Sequence, residues 1–134
     1  MNNKELMDLA LKARENSYSP YSNFAVGAAL LAKNGKVYLG CNIENSSYTP
    51  TICAERVAFF KAVSEGVKEF EAIAIVGGKT KEEGRFCAPC GVCRQVMAEF
   101  CNKDFKIILG DRHHIEEFTL ESMLPLAFTP TDLK

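Results

Sequence analysis

The stretch Phe24-Ala25-Val26-Gly27-Ala28-Ala29-Leu30-Leu31-Ala32-Lys33-Asn34-Gly35-Lys36-Val37-Tyr38-Leu39-Gly40-Cys41-Asn42 decides the fold. Phe24 to Lys33 is apolar almost throughout and reads as a buried strand. Asn34-Gly35 is the strongest short hairpin signal, and Lys36 to Asn42 reads as the returning strand. A hairpin makes this first strand pair antiparallel. Upstream, Leu6, Leu9, Ala10 and Ala13 recur at helical spacing behind a capping-box pattern of Asn2 and Glu5, which predicts a helix from about Asn3 to Glu15. Ser19-Pro20-Tyr21-Ser22 ends it.

Downstream, Glu44 to Thr51 is polar and reads as a loop. Cys53 to Glu65 has helical periodicity and closes on Gly66, and Phe70 to Val76 is a strand that Gly77-Gly78 stops. A charged loop from Lys79 to Pro89 precedes a helix from Gly91 to Cys101. A strand from Phe105 to Leu109, a short strand from Ile115 to Phe118 and a turn from Glu121 to Leu124 follow. The order α-β-β-α-β-α-β places helices on both faces of a sheet, with strands separated by helices running parallel. The expected fold is α/β: a three-layer α/β/α sandwich on a mixed five-stranded sheet, occupying residues 1–134 as one domain.

Sixteen basic and seventeen acidic side chains leave a net charge of -1, without the basic footprint of a protein that holds a polyanion, so no nucleic-acid partner is expected. The amino-terminal segment is charged throughout and has no apolar core of a signal peptide. The longest uncharged apolar run, Phe24 to Ala32, is far below the roughly 20 residues that a membrane helix needs. No membrane partner is expected, and the location is expected to be cytoplasmic. Six cysteines in a reducing compartment point to metal binding or catalysis rather than to disulfides.

Two segments carry the chemistry: Thr51-Ile52-Cys53-Ala54-Glu55-Arg56 and Pro89-Cys90-Gly91-Val92-Cys93-Arg94-Gln95. Each puts a cysteine at the start of a predicted helix, and both starts belong at the carboxyl end of the strand Phe70 to Val76, where α/β sheets place their sites. Unpaired N–H groups and the positive end of the helix dipole favour thiolate there. Cys90 and Cys93, three apart, share a face as neighbouring Zn²⁺ ligands must. Three sulfurs leave a fourth tetrahedral position open, the mark of a catalytic rather than a structural zinc. Cys53 and Glu55 would point to nearly opposite faces inside a helix, so both reach one metal only if Cys53 precedes the helical spacing. Three thiolates also over-neutralise Zn²⁺ and make its water harder to deprotonate; Arg56 is placed to hydrogen-bond the sulfurs and offset this. Cys87-Ala88-Pro89-Cys90 is a second C-x-x-C. Pro89 suits the position before a helix and Cys93 would otherwise be orphaned, so Cys87 is read as a non-ligand. Cys41 and Cys101 are read as small buried residues, and His113 and His114 as surface histidines.

These two segments, together with Ser19-Pro20-Tyr21-Ser22-Asn23-Phe24, Gly40-Cys41-Asn42-Ile43-Glu44-Asn45, Ser47-Tyr48 and Leu124-Pro125-Leu126-Ala127-Phe128, resemble the cytidine deaminase family in its short, three-cysteine, homotetrameric form. The likeness spans Ser19 to Leu133. It implies one Zn²⁺ per subunit on Cys53, Cys90 and Cys93. It implies that Glu55 moves a proton from the attacking water to ring N3 and then helps protonate the departing ammonia. Asn42 and Glu44 resemble the pair that reads the ribose 3′-hydroxyl, Phe24 the aromatic that packs on the base, and the Ala54 N–H the group that meets the base carbonyl. Phe128 and Tyr48 resemble residues that complete a neighbouring subunit's pocket. The activity implied is hydrolytic deamination of cytidine and 2′-deoxycytidine, as in pyrimidine salvage. Rival readings are a deaminase of another aminopyrimidine, such as a nucleoside antibiotic, a polynucleotide deaminase, a structural zinc module with four protein ligands, and a thiol redox protein pairing Cys87 with Cys90.

Overall fold

The amino-terminal helix forms as α1 (Asn3–Arg14), and its capping box is present: Asn2 Oδ1 accepts from the Glu5 N–H at 2.8 Å while Glu5 Oε1 accepts from the Asn2 N–H at 3.0 Å. Leu6, Met7, Ala10 and Ala13 form its buried stripe. The structure, a computed structural model, describes residues 1–134. The hairpin follows as β1 (Phe24–Ala32) and β2 (Val37–Cys41), antiparallel, with Leu31 opposite Val37. Its loop is the three-residue kind, Lys33-Asn34-Gly35, closed by Gly35 N–H to the Ala32 carbonyl at 3.0 Å. Gly35 has a φ of 90°, which a side chain rarely tolerates.

Then come α2 (Ala54–Ser64), β3 (Phe70–Lys79), α3 (Gly91–Phe100), β4 (Lys106–Gly110), β5 (Ile115–Thr119), the single turn α4 (Leu120–Met123) and a 3₁₀ turn, Pro130–Leu133, that sequence pattern did not signal. Gly77-Gly78 does not stop β3. Both glycines pair with β1, opposite Val26 and Ala25, and the ladder to a neighbouring strand outweighs their weak strand propensity. Cys41 and Cys101, expected to be buried, are half-buried. His113 and His114 lie exposed in the β4–β5 turn, where their N–H groups donate to Asp111 Oδ1.

The sheet order is β2-β1-β3-β4-β5; β3 and β4 are parallel and every other pair is antiparallel, a mixed five-stranded sheet. Alternation along the strands separates two cores. Ala29, Leu31, Ala72, Ala74, Val76 and Ile108 face α1. Leu30, Ile73, Ile75, Ile107 and Leu109 face the opposite side, with Ala58, Phe59 and Met97 from α2 and α3. Phe59 is fully buried, its ring centroid 5.0 Å from that of Phe70 and 6.1 Å from that of Phe105, so truncating it to alanine costs about 3–5 kcal/mol. At Gly40 a Cβ would stand 2.2 Å from the Ala54 carbonyl oxygen, so only glycine lets the first turn of α2 lie directly on β2. That close approach seats the helix start that carries Cys53 and Glu55. No helix is long and apolar enough to cross a membrane.

Candidate active site

Cys53 and Cys90 are the N-caps of α2 and α3, both with extended backbone and neither using its side chain to cap. Their sulfurs are therefore free for another partner. Cys93 stands in the first turn of α3 and is buried. The three Sγ atoms all lie within 4.8 Å of one another, and Cys53 and Cys90 are 3.7 Å apart. A tetrahedral zinc with Zn–S bonds of about 2.3 Å sets its sulfurs roughly 3.8 Å apart, so this donor set fits Zn²⁺. Three soft sulfurs on two helix starts suit zinc better than a hard, oxygen-seeking cation. Cys87 is not in this group.

The boundary condition on Cys53 is met: it precedes the helix, and Glu55 follows in the first turn. Glu55 occupies the buried stripe of α2 with Ala58, Phe59 and Ala62, at spacings of three, four and seven residues, and is only 4% exposed. An ordinary surface glutamate would face the other way. Burial pushes its carboxyl up to about 7, with the Cys53 sulfur adding to the effect and its own backbone N–H and Arg56 opposing it. Within the sulfur group, hydrogen bonding from Cys93 holds the Cys53 thiol down at about 5, assisted by Arg56 and Cys90 against the cost of burial. Cys93, as donor to that thiolate, is held up. Arg56 Nη2 donates to Cys53 Sγ at 3.5 Å.

Asn42 is buried and its amide is almost fully engaged. Oδ1 accepts from the Val26 N–H at 2.9 Å and from Ser17 Oγ, while Nδ2 donates to the Phe24 carbonyl at 2.8 Å. One N–H remains for a ligand. Glu44 accepts from the N–H groups of Tyr21 at 2.9 Å and Ser22 at 3.1 Å, and from Ser22 Oγ. Slight desolvation works against ionisation, but these three donors outweigh it and hold the Glu44 carboxyl below its ordinary value. Phe24 begins β1, with the Arg85 guanidinium 5.8 Å from its ring centroid. The Ala54 N–H, first in α2, has no intrahelical acceptor to serve.

Tyr48 and Phe128 are not drawn into the sulfur group's surroundings on this chain: they stand 72% and 57% exposed. Tyr48 meets the Tyr21 ring edge-on at 6.2 Å and joins Tyr21, Ser22, Glu44 and Thr51 around a hollow of about 370 Å³. A hollow of about 560 Å³ between α3 and the carboxyl-terminal tail is lined by none of the chemistry-bearing residues.

Sequence reasoning missed several residues that orient the site. Ser17, Tyr21 and Ser22 aim Asn42 and Glu44, and the Ser-Pro-Tyr-Ser segment carried that signal as a hydroxyl-rich turn. Arg94 donates to the Pro89 carbonyl at 2.8 Å and the Met123 carbonyl at 2.6 Å, pinning the residue before Cys90 to the end of α4. Gln95 donates to the Phe128 carbonyl at 2.8 Å and holds the tail against α3.

Residues 1–109 match the family model of the cytidine and deoxycytidylate deaminase zinc-binding region. The chain is 53% identical over 134 residues to a cytidine deaminase of Sporosarcina psychrophila, covering 99% of this chain and 96% of that one. It is 51% identical to a cytidine deaminase of Halalkalibacterium halodurans, with 99% and 98% covered. The crystal structure of a cytidine deaminase from Burkholderia pseudomallei superimposes with a TM-score of 0.86 at 44% identity, covering 96% of this chain and all of that one (100%). With the sulfur triad, the buried glutamate and likeness along nearly its whole length, the chain belongs to the zinc-dependent cytidine and deoxycytidylate deaminase family.

Proposed function

We propose that the protein hydrolyses cytidine and 2′-deoxycytidine: water adds at C4 of the base, the C4–N bond breaks, and uridine or 2′-deoxyuridine leaves with ammonia. The observation that carries this reading is the convergence of three cysteine sulfurs beside a carboxyl that is nine-tenths buried. Zn²⁺ bound by Cys53, Cys90 and Cys93 supplies Lewis-acid activation of water.

The chain's own groups do the rest. Glu55, buried beside the sulfurs, takes the proton released by water, delivers it to ring N3, and then helps protonate the departing nitrogen. The free Ala54 N–H holds the base carbonyl, and Phe24 packs against the ring. The remaining Asn42 N–H donates to the ribose 3′-hydroxyl and Glu44 accepts from it, which ties the site to a nucleoside rather than to a free base. That polar pair disfavours substrates without the sugar.

The proposed assembly is a homotetramer in which neighbouring subunits complete each pocket; Tyr48 and Phe128, exposed on the single chain, are available for such contacts. The working unit in this proposal is residues 1–134 as one domain, in the cytoplasm, serving pyrimidine salvage without nucleic-acid or membrane partners. The test is an absorbance assay for conversion of cytidine to uridine, run before and after zinc chelation. Turnover lost on chelation and restored by Zn²⁺ is the expected result; undiminished turnover in the metal-free protein overturns it.

A further inference from the structure

We propose that Cys87, a thiol outside the zinc set, is a wall of the base pocket and limits the size of the substituent that the pyrimidine can carry beside its amino group. The inference rests on the proposed deamination and adds to it a specificity-determining residue.

The placement comes from Gly77, near the end of β3. A Cβ built there would stand 2.8 Å from Cys87 Sγ, 2.9 Å from Cys87 Cβ and 3.0 Å from Phe24 Cε2. The thiol and the aromatic edge thus converge on the same bare patch of backbone. The charges of Glu55, Cys53 and Cys90 also act on the Cys87 thiol. The side chain therefore packs on the backbone of Gly77 beside the edge of the ring assigned to the base, and it feels the charge of the carboxyl assigned to the amino edge.

Burial, followed by the neighbouring Glu55 charge, holds the thiol up and protonated, and Cys87 is not one of the three sulfurs that converge. A neutral thiol behaves as a small apolar filler. It closes the pocket by volume rather than by charge.

A size gauge must also be unable to swing aside. Gly77 and Arg85 exchange both backbone hydrogen bonds, at 3.1 and 2.6 Å, two residues before Cys87. Arg14 grips the same segment from α1, donating to the carbonyls of Gly78, Lys79 and Glu82 at 2.9 Å each. Pro89, fully buried, fixes the chain on the far side. The wall is braced at both ends.

The test compares kcat/KM for cytidine and 5-methylcytidine in the zinc-loaded wild type, Cys87→Ala and Cys87→Ile, with zinc content measured for each. Cys87→Ile is expected to lower kcat/KM for 5-methylcytidine tenfold or more beyond any fall for cytidine. Cys87→Ala is expected to shift that ratio the other way, and both variants keep one zinc per chain. Ratios unchanged in Cys87→Ala overturn the proposal even if the isoleucine variant fails to fold, and so does loss of zinc from Cys87→Ala, which would make the thiol a ligand. Absence of cytidine turnover in the zinc-loaded wild type would instead fell the deamination reading itself.

Discussion

Arg56 Nη2 stands 3.5 Å from Cys53 Sγ, reaching back over the start of α2 to a sulfur three residues earlier. The contact raises the guanidinium's hold on its proton and helps hold the Cys53 thiol down. Three thiolates donate more charge than Zn²⁺ carries, and a cation hydrogen-bonded to one of them draws some of it away. Arg56→Ala is expected to reduce kcat about 10–100-fold, or zinc affinity by a similar factor with the melting temperature of the zinc form falling in step. Arg56→Lys should recover only part of this, since an ammonium lacks the planar fork. Steady-state kinetics with a competitive zinc chelator measure both. An unchanged rate and zinc affinity would return Arg56 to a surface role.

Glu55→Gln preserves shape and burial but has no proton to exchange. The variant is expected to bind zinc stoichiometrically and fold at least as stably, because an ionisable group 4% exposed has been replaced by a neutral one. Its kcat should fall about 10²–10⁴-fold, the range for loss of a positioned acid–base group. Metal analysis and a sensitive product assay decide the matter, and near-normal turnover would remove Glu55 from the proposed reaction.

The fold was legible wherever local pattern and tertiary packing agree. Asn2 with Glu5, the apolar run from Phe24 and the Asn34-Gly35 turn all specify one structure by short-range physics. Gly77-Gly78 misled because a glycine's weak strand preference is local, while its pairing with Val26 and Ala25 depends on residues fifty positions away. The sulfur group was legible for a stricter reason. The Cys53-to-Glu55 spacing is compatible with a shared site only at a helix boundary, and α2 begins where that requires. By contrast, nothing in the sequence near Arg14 announces that its guanidinium will meet four carbonyls on three segments; that arrangement exists only once α1 lies on the sheet.

Those four bonds make Arg14 a stability residue. It donates to the Ala25 carbonyl at 2.8 Å as well as to Gly78, Lys79 and Glu82, so it ties α1 to the start of β1 and the end of β3. The group is only partly buried, and water compensates some of the loss. Arg14→Ala is therefore expected to cost about 2 kcal/mol, well below the sum of four isolated charge-assisted bonds. For a chain of this length that lowers the melting temperature by on the order of 8 °C. Calorimetry of the zinc-loaded protein measures it. A shift below a degree would mean that the carbonyls are equally well served by solvent.

Phe128 and Tyr48 test the assembly. If both complete a neighbouring pocket, Phe128→Ala should raise KM several-fold with kcat nearly kept, because the lost contact serves substrate binding rather than proton transfer. Light scattering on the same sample reports the oligomer. A monomeric wild type with full activity, or an unchanged KM in the variant, would reassign Phe128 to packing within one chain.

If Glu44 holds the sugar as proposed, its ionisation governs how nucleoside binding depends on pH. Its carboxyl is held below the ordinary value because hydrogen bonds from Ser22 and Tyr21 outweigh slight desolvation. A depressed acid keeps its charge above the unfolded value and loses it only as pH falls through the lowered one, so its contribution is complete at neutral pH and disappears on acidification, never on alkalinisation. KM for cytidine is thus expected to lack any rise attributable to Glu44 from neutrality down to the normal carboxylate range. Glu44→Gln should raise KM across that whole interval, because the acceptor for the 3′-hydroxyl is weakened at every pH. In a Ser22→Ala variant, removal of a donor lets the carboxyl drift upward, and the acid rise in KM should begin at higher pH. A KM profile identical in wild type and Glu44→Gln would detach this residue from the sugar.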